Sequence, residues 1–432
     1  LGATLYAFLA PALQEALQES PFATRTRIVP GEADDWCALY AKDNARSIIF
    51  TSDTDLVLYD YRPDTLVVFL YDDDGSAGIK AYAPDEIRTK LQLKSLVPFA
   101  FVLRSGPQDT SNDLARNARG VNENSEEFID FSRRYVAKIV APIHLTSTND
   151  SPLLLPELDV RVSEFVHQAL EASATSHVYL PLLVEDPNQA SAWNIGYDVR
   201  TLAYSLFAIT NMAVHEYRRK AQGIAVQEVA PYSATNMPVP AADMERQVSA
   251  LADWATSRAV NPELIWPLFA LSLVLTELNT PPSIPLVLRV LNNDFDNTWA
   301  FVHLMARLQG ALYSLRMLKQ IINVWLKTTT AGSKLHTCLT SLNKHMQNLP
   351  AIPAMFGVPG QAKNVLLEHE RLKSLVEEIY TSGGAKVPIE QISNKKKKKK
   401  QAKEAERKKR KVEQKRMPEK KISNTFGSLA TD

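Results

Sequence analysis

Two short stretches gather the acids in this chain that could do chemistry. "PGEADD" places Glu32, Asp34 and Asp35 together, and "SIIFTSDTDLVLYDY", residues 47–61, runs an apolar strand pattern into Asp53 and Asp55. Residues two apart on a strand point the same way, so Asp53 and Asp55 project together if extended geometry persists past Thr51. Carboxylates converging at one sheet edge repel one another unless cations neutralise them. Mg²⁺ and Mn²⁺, hard ions that take carboxylate and water oxygens, meet that need. Two such ions about 4 Å apart are a common device for in-line attack of water on a phosphodiester: one activates the water and the other stabilises the leaving oxygen. "SDTD" equally fits a strand that simply ends in an Asx-turn, the aspartate bonding its own backbone two residues on.

The elements that must position these acids read as α/β alternation. "TLYAFLAPALQEALQ" repeats apolar residues at helical spacing and "RTRIV" reads as a short strand. Glu32 to Asp43 is expected to be a helix with acids in its first turn, where the helix dipole favours them. Strands are expected at Ser47–Thr51, Leu66–Tyr71 and near Ile79–Tyr82, which implies a mostly parallel sheet with helices on its faces. A strand at Ser47–Thr51 puts Asp53 and Asp55 at the carboxyl edge, where such folds place ligands. After Pro84 the pattern turns helical, through "PDEIRTKLQL", "KSLVPFAFVLRS", "SNDLARNAR" and "SEEFIDFSRRYVAKIV". From Leu153 to Thr381 helical segments dominate, with "DVRTLAYSLFAITNMAVHEYRRKAQ" read as helix and "GIAVQEVAPYS" as an optional strand. No fixed repeat period is present.

Composition narrows the function classes. With 432 residues the chain has room for two or three cores. Its 15 glycines are about half the usual share, and no Walker or dinucleotide fingerprint occurs, which argues against phosphate-cradling loops. Two cysteines, Cys37 and Cys338, build no disulfide framework, and no secretory signal opens the chain, so a reducing intracellular compartment is expected. The longest apolar run, "IWPLFALSLVLTEL", contains Pro267 and is shorter than the roughly 20 residues that span a bilayer, so it is read as a buried helix and no membrane partner is expected. The near-neutral total hides an asymmetry: Lys395–Lys421 carries 16 basic against four acidic residues, leaving residues 1–394 acidic. Residues 386–432 are expected to form a disordered or solvated lysine-rich tail.

"VPGEADDWCALYAKDNARSIIFTSDTDLVLYDY" resembles the internal nuclease segment of the flap endonuclease/XPG superfamily, where a Pro-x-Glu-Ala-Glu/Asp helix start precedes a strand ending in Asp-x-Asp. Asp34 and Asp53 are nineteen residues apart, as in that family. The resemblance is nearest to its fungal, asteroid-like branch, which has counterparts of "FLAPALQEAL", "VPGEAD", "TSDTDL", "LAYSLF" and "HEYRR". It implies a PIN-like (XPG-I type) α/β domain over residues 1–145, an α-helical accessory domain over 146–385 and the basic tail over 386–432. It also implies a Mg²⁺- or Mn²⁺-dependent, structure-specific nuclease acting on nucleic acid. Carried over by position, Glu32 and Asp34 help bind one metal, and Asp53 and Asp55 complete the shared site. These four are the expected catalytic residues, and Asp35 is left as helix N-terminal charge. A further family aspartate comes from a Gly-x-Asp turn; here Gln108 takes its place and Asp109 follows as a substitute metal ligand. The glycine-rich hairpin expected after that turn is absent.

The family draws two more aspartates and a basic pair from a segment that would precede Leu1. Either the chain is a fragment of a longer one or the site is incomplete, and the four carboxylates alone are expected to bind metal weakly and hydrolyse little. The alternative is a catalytically impaired member that serves as a nucleic-acid- or protein-binding scaffold.

The remaining candidates weigh less. His336 and Cys338 are two ligands without a site. "HEYRRK", His215 to Lys220, is read as a basic helix end that could meet phosphates but is expected first to neutralise the helix C-terminus or pair with acidic neighbours. "KKKKKK" and "KKRK" in the tail are the kind of run that nuclear import machinery reads and that attaches to nucleic acid by counterion release, so a nuclear or nucleocytoplasmic protein is expected.

Overall fold

The computed structural model of the chain describes residues 7–29, 32–72, 78–106, 108–136, 158–171, 175–208, 213–356 and 369–386. Its first part alternates helix and strand: α1 (Leu9–Gln18), α2 (Ala33–Asp43), β1 (Ile48–Thr51) and β2 (Leu66–Phe69), then α3 (Pro84–Lys90), α4 (Val97–Ser105), α5 (Ser111–Arg119) and α6 (Glu126–Ser132). β1 and β2 pair in parallel from Ile48↔Leu66 to Thr51↔Phe69. Ile49, Val67 and Phe69 pack with Ala41 of α2 and with Leu56 into a small core ringed by Tyr59, Tyr61 and Tyr82. The expected third strand is a single antiparallel bridge, Val67↔Tyr82. "RTRIV" is not a strand either. Its residues 26–29 follow a 3₁₀ turn, Ala23–Arg25, and only Ile28 and Val29 offer apolar surface, too little to hold a ladder.

The second sheet follows α7 (Val160–Leu170). β3 (Thr175–Tyr179) crosses through α8 (Tyr197–Ser205) to a parallel β4 (Ala213–Lys220), and β5 (Gly223–Val229) returns antiparallel. "HEYRRK", expected to end a helix, lies in β4. Val214 and Glu216 are buried while His215 and Tyr217 face outward, the period of two that defines a strand. The free edge of β3 is sealed by α7: Gln168 accepts from the His177 N–H (2.6 Å) and donates to the His177 carbonyl (3.3 Å), and Arg161 Nε donates to the Tyr179 carbonyl (2.7 Å). Side chains here make the bonds a neighbouring strand would make. Beyond β5 no described strand pairs.

The rest is helical: α9 (Pro238–Ser257), α10 (Pro262–Glu277), α11 (Ile284–Leu291), α12 (Trp299–Thr328), α13 (Lys334–Met346), α14 (Ile352–Met355) and α15 (His369–Ser382). α12 is buried along most of its length and runs through the centre, with Ala306, Ala311, Leu315, Leu318, Ile321 and Ile322 fully buried. α10 is the buried helix expected from "IWPLFALSLVLTEL", and no described helix is long and apolar enough to cross a membrane. α1 packs onto this body: Phe8 stacks on Phe356 (3.8 Å between ring centroids), and Glu15 pairs with Arg316 of α12 (2.6 Å). The tail from residue 387 lies outside the described residues.

Candidate functional site

α2 and β1 bring four of the five expected residues into one electrostatic neighbourhood. Glu32 is the N-cap of α2, yet its side chain makes no cap hydrogen bond and its carboxylate stays available. Asp34 and Asp35 occupy the first turn, where the exposed helix N–H groups favour negative charge. Strand geometry ends at Thr51, so Asp53 and Asp55 do not project as successive residues of one strand face. The Thr51 hydroxyl accepts from the Asp53 N–H (2.9 Å), and the chain tightens into a 3₁₀ turn, Thr54–Val57. Asp53 caps that turn, its Oδ1 accepting from the Asp55 N–H (2.9 Å), which is an Asx-turn. The turn swings both aspartates towards α2.

Burial first, and then the charges of Asp53, Glu32, Asp35 and Asp55, raise the Asp34 carboxyl above its ordinary value. Its strongest charged neighbours are all carboxylates. None of Glu32, Asp34, Asp53 and Asp55 forms a salt bridge with a described residue.

Two tyrosines hold this face in shape. The Tyr59 hydroxyl donates to Asp35 Oδ1 (3.0 Å) and the Tyr135 hydroxyl donates to Asp55 Oδ2 (3.1 Å). Burial, followed by the Asp55 charge, pushes the Tyr135 phenol up to about 12, so it remains a donor at neutral pH. Tyr135 follows α6 and is carried by aromatic contacts that run from Phe101 of α4 to Phe131 (5.4 Å), to Tyr135 (5.3 Å) and on to Tyr59 (6.1 Å). Sequence reasoning missed both phenols. Tyr59 lies inside the quoted "SDTDLVLYDY" stretch and could have been suspected there. Tyr135 is eighty residues from Asp55, and no spacing signals it.

Asp109 is not one of the four acids that raise Asp34 most. It sits in the turn between α4 and α5, where its N–H donates to the Gly106 carbonyl (3.1 Å) and its carboxylate folds over Gly106. A Cβ at Gly106 would stand 2.7 Å from Asp109 Oδ2, so the two residues are in close contact in this turn. His336 and Cys338 lie on α13, with Cys338 packed against the main core as an ordinary helix residue.

Donor type and charge at the four carboxylates fit a hard divalent cation. Their spacing does not by itself form a chelate: among the described residues no three His, Cys, Asp or Glu side chains are grouped so as to hold an ion. The acids share a field without sharing a coordination sphere. A family model described as "XPG domain containing" matches residues 5–230. The chain belongs to this XPG-domain family. Neither the curated proteins nor the solved structures contain a match. The XPG match runs past both sheets and ends just after Val229 of β5, so the second sheet lies within the matched span, as does the carboxylate face.

Proposed function

We propose that this XPG-family protein binds Mg²⁺ or Mn²⁺ through Glu32, Asp34, Asp53 and Asp55 and acts as a metal-dependent nuclease on nucleic-acid phosphodiesters. The family supports a nuclease-type function. The observation that carries the metal reading is the Asp34 carboxyl, held up by burial and four neighbouring acids with no salt-bridge partner for the four proposed ligands among the described residues. A cation bound there would offset the repulsion, polarise a phosphate oxygen and lower the pKa of a bound water. The chain's own residues do the positioning. Asp53 is fixed by its bond from the Asp55 N–H, and Tyr135 and Tyr59 orient Asp55 and Asp35 by donating from neutral phenols.

One observation favours a second reading. With no preformed three-ligand group among the described residues, the second reading is a family member that does not cut and serves as a nucleic-acid- or protein-binding scaffold. Calorimetric titration of Mn²⁺ into the full chain, together with cleavage assays on single-stranded and flapped oligonucleotides, separates the two. Metal-dependent cleavage that disappears in Asp34→Asn and in Asp53→Asn supports the nuclease. Metal binding without cleavage selects the scaffold, and equal activity in parent and variants removes the carboxylates from the mechanism.

The tail supports a nuclear address read by import machinery, with added non-specific affinity for nucleic acid. Deleting residues 395–421 should release a fluorescent fusion to the cytoplasm, and unchanged nuclear signal refutes the address.

A further inference from the structure

The outward face of the second sheet carries a set of rings that the core does not use. In the parallel register of β3 on β4, His177 stands opposite His215 and Tyr179 opposite Tyr217. The two tyrosine rings stack at 4.3 Å between centroids and 15° between planes, and the two imidazoles meet edge to face at 5.5 Å. The Tyr217 hydroxyl and His177 Nδ1 are 3.2 Å apart, which joins the pairs into one surface. Tyr179 is 61% exposed, and Val226 of β5, opposite Tyr217, extends the same apolar face into solvent. A stacked aromatic pair left in water is an unusual use of large apolar surface.

Charge gives the face a direction. Arg161 is anchored on the Tyr179 carbonyl at one end, whereas Glu228 stands opposite His215 at the other. The tyrosine end therefore carries an arginine.

Flat exposed rings beside an arginine match a ligand that alternates flat bases with phosphates. We infer that the Tyr179–Tyr217 face is a stacking platform for unpaired bases of single-stranded nucleic acid. This deepens the nuclease reading and rests on it only for what happens after binding. A duplex, whose bases are already stacked on one another, cannot use the platform.

The test uses the full chain in EDTA, so that it is independent of metal, and at about 0.3 M salt, where counterion-release binding by the lysine tail is weakened. Anisotropy of a fluorescein-labelled oligothymidylate, and of a duplex of equal length, is read for the parent, Tyr179→Ala and Tyr179→Phe. The alanine variant should bind the single strand roughly tenfold more weakly, the phenylalanine variant within about twofold of the parent, and the duplex alike in all three. Tyr179 is exposed, so neither change threatens folding, and circular dichroism confirms it.

Unchanged single-strand affinity in Tyr179→Ala overturns the platform. So does a parallel loss for strand and duplex, which marks a purely ionic contact. A parent that binds no oligonucleotide also overturns it and turns the face over to a protein partner. Failure of the nuclease reading is distinguishable: Tyr179-dependent binding in a protein that never cleaves keeps the platform and drops the chemistry. Mn²⁺-dependent cleavage of subsaturating substrate that is equal in parent and Tyr179→Ala does the reverse.

Discussion

Two groups of charge in this protein obey opposite rules. Arg200 and Glu216 have no solvent exposure and are matched atom for atom: Arg200 Nε donates to Glu216 Oε1 (2.5 Å) and its NH2 donates to Oε2 (3.0 Å) and to the Trp193 carbonyl (2.8 Å). Its NH1 donates to Ser314 Oγ (2.8 Å), and the Tyr204 hydroxyl donates to Glu216 Oε1 (2.9 Å). Around Asp34, by contrast, acids stand beside acids at a half-open surface. A buried charge is tolerable only when its partners are complete, whereas a surface charge can be left unmatched at modest cost. The first arrangement defines which strands and helices meet. The second leaves free energy to be released by whatever binds.

The sharpest way to break this contrast is to unbalance the buried pair. Glu216→Gln leaves the Arg200 guanidinium buried without its counter-charge and should lower stability by about 3–5 kcal/mol in urea unfolding. The double change Arg200→Met with Glu216→Leu should recover most of the loss. A harmless Glu216→Gln would mean that the pairing is incidental.

His303 sharpens the buried side of the comparison. Its Nδ1 accepts from the Asp186 N–H (3.2 Å), so it is held neutral, and burial followed by the Arg307 charge pulls the imidazole down to about 4. The unfolded chain takes up this proton near pH 6.5 and the folded one near 4. Stability is therefore lost as pH falls through that window, by on the order of 3 kcal/mol. His303→Gln should flatten the pH dependence of the urea midpoint between those values, and an unchanged slope assigns it to other groups.

On the open side the expected effects are smaller. Tyr135→Phe removes the donor to Asp55 while keeping the ring in its aromatic contacts, and should weaken Mn²⁺ binding several-fold, about 1 kcal/mol, with little change in the unfolding midpoint. Calorimetry that returns the parental affinity removes Tyr135 from the site. Asp34→Asn should stabilise the metal-free protein by less than about 1 kcal/mol, because these charges are solvent-screened. The sign follows from the raised folded value: metal-free stability falls as pH rises through it, and the amide abolishes that fall. A destabilised Asp34→Asn protein would show that the acids are matched after all.

What the sequence made legible follows the same division. "IIFT" reads as a strand because its apolar run is short and local, and the acid-rich start of α2 is equally local. The long apolar run of α10 is readable for the same reason. β4 is not, because one of its inward positions is Glu216, and the arginine that makes a buried acid acceptable lies sixteen residues away on α8. The apolar spacing of the surrounding residues then mimics a helix. Asp53 and Asp55 are visible as acids at a strand end, but their common direction depends on the Asx-turn rather than on strand alternation. Tyr135 reaches Asp55 only through tertiary packing, which no spacing encodes.

The seal that α7 places on β3 has a consequence for association. Gln168 and Arg161 occupy the main-chain groups of one edge of the three-stranded sheet, while β5 leaves the other edge unpaired among the described residues. Such a sheet has a valence of one. Two copies that met along β5 would make a six-stranded sheet whose outer edges are both closed, so growth by this route stops at a pair and cannot propagate into a fibre.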